Sequence, residues 1–172
     1  MATNLRNFDS TGGFSVGKSE IVDNFKNFTN VNTLEIKNYN FSNATTTKYI
    51  LSGTNTGVLS LGPLGGTSEQ IFLPNNTINF ITGTVVASNS NGGGFYVVKI
   101  ESAVTVGGAG NVQEIGELDT IIRDTIPNGQ EWSINGYDSG SANRYSYTTS
   151  RTGTTETVKW VASTEVVSIT WS

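Results

Sequence analysis

The 172-residue chain contains no cysteine and no histidine. Without cysteine there are no disulfides and no thiolate metal sites. Without histidine the commonest general base and the commonest transition-metal ligand are missing. The two absences exclude Ser-His-Asp and Cys-His catalysis and most zinc chemistry, and no cofactor is expected. Charge is also scarce: Asp, Glu, Lys and Arg make up 14% of the residues, with a net charge of −4. No basic run occurs, so a nucleic-acid partner, which needs clustered Lys and Arg, is not expected. No stretch approaches the roughly 18 apolar residues of a membrane span. The start, MATNLRNFDS, lacks the apolar segment of a secretory signal. Synthesis in a cytoplasm is therefore expected, and membrane insertion is not.

The remaining composition is rich in Asn, Thr, Ser and Gly, with 20 Gly against only 3 Pro. These residues are poor helix formers and favour strands and turns. The expected class is all-β, on a scale of one domain or one domain with an extension. The text changes character near residue 55. Residues 1–55 are Asn-rich and hold isolated apolar residues: Phe14, Val16, Ile21, Val22, Phe25, Phe28, Val31, Leu34 and Ile36. From Phe25 to Ile36 the spacing wanders between two and three, so no sustained helical face forms. Such islands are too sparse for a core within one chain, which reads as an extended arm or stem that docks on another protein or winds with copies of itself. Residues 56–172 read as a conventional antiparallel β-sandwich or jelly-roll-like domain of short strands separated by regular turn signals. TINFITGTVVAS alternates, with Ile78, Phe80 and later Val85 apolar, and Asn91-Gly92-Gly93-Gly94 marks a turn before GGGFYVVKIESAV. In EIGELDTIIRDTI the β-branched Ile121-Ile122 and the following Pro127 favour a strand over a helix.

Three motifs carry candidate chemistry. Gly12, Gly17, Lys18 and Ser19 match the phosphate-loop pattern G-x-x-x-x-G-K-[ST] letter for letter. A phosphate loop needs a buried strand before it and a helix after it, whose N-terminus faces the phosphate. The flanks here are the polar NLRNFDST and the helix-poor EIVDNFKNFTNVN. A hairpin is expected instead, with Phe14 and Val16 facing Ile21 and Val22 across a turn at Gly17. Glu114, Glu117, Asp119 and Asp124 could supply a glycosidase pair or Ca²⁺ ligands, but nothing positions a pair and no EF-hand-like loop is present. Charges of a solvated edge are the expected role. Among the aromatic residues, Trp160 is expected in the core. Tyr137, Tyr145 and Tyr147, beside the GYDSGSAN turn, are the candidates for surface contact with a glycan or a subunit.

Together the two halves resemble virion-surface proteins of tailed bacteriophages. GTVVA (Gly83–Ala87), YVVKIE (Tyr96–Glu101), the strand around Trp132, and the closing TG…WVA…TEV (Thr152–Val166) resemble a β-module of tail-fibre and related proteins. GGFSVGKSEIVDNFKNFTNVNTLEI is similar to the leader of phage fibres. The resemblance implies a non-enzymatic virion structural protein and a homotrimer. A trimer would also let three arms bury islands that one arm leaves exposed. The short chain, which has no repetitive shaft, favours a capsid decoration (cement) protein at the virion surface, whose partner is the phage major capsid protein. The alternative is a short tail fibre or tail appendage that docks on tail proteins and contacts host glycan.

Overall fold

The structure is a computed structural model, and it describes residues 14–16, 19–22, 33–38, 40–63, 67–138 and 143–171. The chain divides into two units, residues 1–32 and residues 33–172. All strand pairings among the described residues are antiparallel, and the only helical element there is a 3-10 turn at Thr67–Glu69.

In the first unit β1 (Phe14–Val16) and β2 (Ser19–Val22) form a two-stranded hairpin. Phe14 pairs with Val22, as the sequence reading expects, but Val16 pairs with Ser19. A register shift after Phe14 leaves Ile21 out of the ladder. Ser19–Val22 is a strand, where a phosphate loop requires a helix whose N-terminus faces the phosphate. Gly12, Gly17, Lys18, Phe25, Phe28 and Val31 lie outside the described residues.

The second unit holds two sheets. The larger runs in the order β3 (Thr33–Asn38), β4 (Phe41–Thr54), β12 (Val158–Thr170), β7 (Thr77–Asn89), β8 (Phe95–Val106) and β9 (Val112–Asp124). In the smaller, β11 (Arg144–Thr152) pairs with β10 (Glu131–Asp138) on one side. On its other side β11 pairs with the two short strands β5 (Gly57–Val58) and β6 (Ile71–Phe72). The segment EIGELDTIIRDTI is a strand, as expected.

The division falls earlier than the change in sequence character suggests. Residues 33–38 and 41–54, assigned above to an arm, are strands of the domain. β4 pairs with β12 from Ala44 to Thr54, and Leu51 is fully buried. An inward Leu opposite Ala162 makes this strand part of the core, whatever its Thr-rich surroundings suggest.

One apolar core lies between the sheets. Leu51, Ile81, Val85, Val98, Ile100 and Trp160 enter it from the large sheet; Trp132, Ile134, Tyr145 and Tyr147 enter from the small one. Trp160 meets Tyr96 and Trp132 edge-on, both at 6.3 Å between ring centroids. This is the arrangement that the ring quadrupole favours. Two glycines make room for the tyrosines. A Cβ on Gly83 would collide with the Tyr147 hydroxyl, and one on Gly136 would lie 2.6 Å from the Tyr145 hydroxyl. Turn chemistry fixes the ends of the strands: Asn55, Asn76 and Asn143 adopt left-handed φ values of 61°, 56° and 60°, which Asn tolerates better than most residues. Glu156 accepts from Asn89 Nδ2 at 2.7 Å and from Asn91 Nδ2 at 2.6 Å, tying the β7–β8 turn to the β11–β12 connection.

Candidate functional site: the outer face of the six-stranded sheet

Alternation decides which side chains each strand turns to the core. In β7 the inward positions are Thr77, Asn79, Ile81, Gly83, Val85, Ala87 and Asn89, all buried. Of the three apolar markers read in its sequence, only Val85 is inward; Ile78 and Phe80 point away from the core, as does Val86. The inward polar residues are satisfied locally. Asn79 Nδ2 donates to Thr77 Oγ1 and to the Val104 carbonyl, and Asn79 Oδ1 accepts from Ser168 Oγ at 2.5 Å. The strand thus buries an Asn with its partners and leaves a Phe and an Ile in solvent.

The register carries this pattern across the sheet. One row runs Ile36, Thr46, Val167, Phe80, Ala103 through five successive strands. Next to it lies Ala44, Ile169, Ile78, and towards the other end lies Val161, Val86, Val97. The larger apolar side chains in these rows are between 42% and 58% exposed, apart from the partly buried Val97. Between the bands, one row carries Lys48, Glu165 and Glu101 and the next carries Lys99. Their side chains form ion pairs of 3.1 Å and 2.8 Å within the face. A shallow depression of about 320 Å³ lies over Phe80, Val167 and Ile169, and a second of about 220 Å³ adjoins it over Ile36, Ala44 and Val167. Chemically this face can bury apolar area against another surface and leave no unpaired charge in its central rows.

Of the sequence-derived candidates, Leu34 and Ile36 lie on β3 in register with this face, and both are exposed. Tyr145 and Tyr147 require a correction. They do share one face of β11, but that face is the inward one, and both are 0% exposed. Their rings meet edge-on at 5.7 Å. The Tyr145 and Ser102 hydroxyls share a 2.9 Å hydrogen bond, and Thr164 Oγ1 donates to Tyr147 Oη at 3.2 Å. Burial pushes both phenols well above their ordinary pKa. A glycan cannot reach them. Tyr137 lies on the opposite face of β10 and is half-buried.

The four acidic candidates all sit on β9 but do not act as one group. The carboxylates of Glu114 and Glu117 both approach Gly136, and Glu117 Oε2 accepts from the Gly136 amide at 2.7 Å. Desolvation, and then the charge of Glu117, raises the pKa of Asp119. Asp124 Oδ1 accepts from the Ile126 amide at 3.0 Å and so closes a turn. Among the described residues no cluster of acidic side chains could hold a metal ion, and no helix is long and apolar enough to cross a membrane.

By class, then, the chain is an all-β protein of antiparallel sheets whose most distinctive surface is an apolar sheet face. No family model matches the sequence, and neither a curated protein nor a solved structure matches the chain.

Proposed function

We propose that the chain is a non-enzymatic structural protein of a tailed-phage virion: a homotrimeric β-sandwich that decorates the capsid and stabilises the assembled shell. The observation that carries this reading is the apolar outer face of the six-stranded sheet, whose three bands all pass over β12 and β7. A solitary soluble domain rarely keeps a contiguous apolar patch larger than a few hundred Å², whereas a component of an assembly covers it. The sequence resemblance supplies the virion context. A protein that binds only the assembled shell stabilises it by mass action. After synthesis in the host cytoplasm it would sit at the virion surface with the major capsid protein as its partner. The N-terminal segment would be the docking arm.

The tail-appendage alternative relied on an aromatic platform for glycan. The burial of Tyr145 and Tyr147 removes two of the three residues of that platform, which favours the capsid. Mixing the purified protein with undecorated capsids tests the reading. Saturable binding with a gain in resistance to heat or chelator is expected; no binding and no gain would refute it.

A further inference from the structure

We infer that the outer face of the six-stranded sheet is where copies of this chain pack against one another. The inference rests on the assembly reading only in requiring an assembly, and it holds for a capsid or a tail location alike. Three observations point to a second copy of the chain as the occupant.

The first is area. Ile36, Ile78, Phe80, Val86, Val161, Val167 and Ile169 are each between 42% and 58% exposed, and with the polar rows between them they make a face on the scale of the about 800 Å² that each partner gives to a standard interface. The second is charge. The chain carries a net charge of −4, yet the central rows of the face hold two lysines and two glutamates already paired with each other. A strongly basic or acidic partner would find no complementary field in those rows, whereas a copy of the same face would meet no unpaired charge there. The third is the distribution of residue types. Strand propensity on an exposed face is met equally well by Thr, and Thr46, Thr82, Thr84 and Thr105 supply it on this same face. Across β12 and β7, by contrast, apolar residues stand opposite one another: Val161 with Val86, Val167 with Phe80 and Ile169 with Ile78. Propensity gives no reason for this juxtaposition; packing against an equivalent surface does.

The test is the association state of the full-length chain. Sedimentation equilibrium should show a self-associated wild type. Phe80→Asp combined with Val167→Asp should weaken association by about 100-fold or more, since burying unpaired charge costs several factors of ten. Far-UV circular dichroism checks that this variant still folds. The milder pair Ile78→Thr and Ile169→Thr keeps β-branching and should weaken association by about 10-fold. A cysteine placed at Thr82 gives a second readout in a chain without native thiols: maleimide should label it slowly in the assembly and rapidly in the dissociated variant.

A monomeric wild type would overturn the inference, and so would an oligomer that both variants leave intact with Thr82→Cys freely labelled. A trimer that survives the variants would refute the interface while sparing the proposed trimer. A dimer broken by the variants would support the interface and refute the trimer.

Discussion

Leu51→Ala separates a β4 that belongs to the folded domain from a β4 that belongs to an arm. Leu51 is fully buried, lies opposite Ala162 of β12, and packs in the one core cluster. Truncating a leucine in such a place removes its transfer free energy and leaves a cavity, and measured costs run from about 2.7 to 5 kcal/mol. Taking about 3 kcal/mol, and an unfolding entropy of about 2 cal/mol/K per residue for the unit Thr33–Ser172, Tm should fall by about 10 °C. Thermal and urea unfolding can be followed by tryptophan fluorescence, because Trp160 and Trp132 are both in the core. Protein concentration must be held constant so that association does not move the midpoint. The m-value should stay near that of the wild type, since the surface exposed on unfolding is unchanged. Ser52→Ala, one residue along and on the other face, should stay within about 0.5 kcal/mol of wild type. If Leu51→Ala were equally mild, β4 would not be core, and the division of the chain at residue 32 would be wrong.

Gly83→Ala should lower stability by about 1–3 kcal/mol, because the new methyl meets the Tyr147 hydroxyl; a neutral result in urea unfolding would mean that the two sheets are not so closely apposed there. Asn79→Ala should cost about 2 kcal/mol through the partners it strands, Ser168 Oγ and the Val104 carbonyl, and an unfolding midpoint equal to wild type would contradict the buried network. Tyr145 and Tyr147 have folded-state pKa values raised above the ordinary 10.0. Their stabilising contribution is therefore complete below pH 10 and is lost as pH rises above it, by about 1.4 kcal/mol per pH unit for each. Phenolate absorbance should report these two only as the protein unfolds; their reversible ionisation near pH 10 in the folded state would count against the burial. Lys18→Ala should leave association unchanged and ATP binding equally absent in the variant and the wild type, as measured by sedimentation and isothermal calorimetry, because a strand follows Ser19 where a phosphate loop needs a helix; ATP binding by the wild type that Lys18→Ala abolishes would reverse this.

Much of the fold was legible in the sequence, for local reasons. The turn at Asn91–Gly94, the β1–β2 hairpin and the strand at Val112–Asp124 are written in β-branched runs and turn residues. The boundary was not legible, because β4 is coloured like the Asn- and Thr-rich segment before it. Its inward residues include Thr47, Tyr49 and Gly53 besides Leu51, so no apolar alternation announces it. Tyr145 and Tyr147, two residues apart on a strand, share one face, but which side that face turns to is decided by the opposite sheet. The signal that could have found it is Gly83 in mid-strand, a gap that a large side chain from elsewhere must fill. The outer face was hidden in β7 for a related reason. Ile78 and Phe80 have one parity and Ile81, Val85 and Ala87 the other, and only the pairing with β12 shows that both sets are used.

The central claim, a decoration protein of the assembled capsid, is tested most directly by counting the protein in purified virions. Quantitative mass spectrometry should find a copy number on the scale of the major capsid protein; a copy number on the scale of the tail proteins, or absence from the particle, would contradict it.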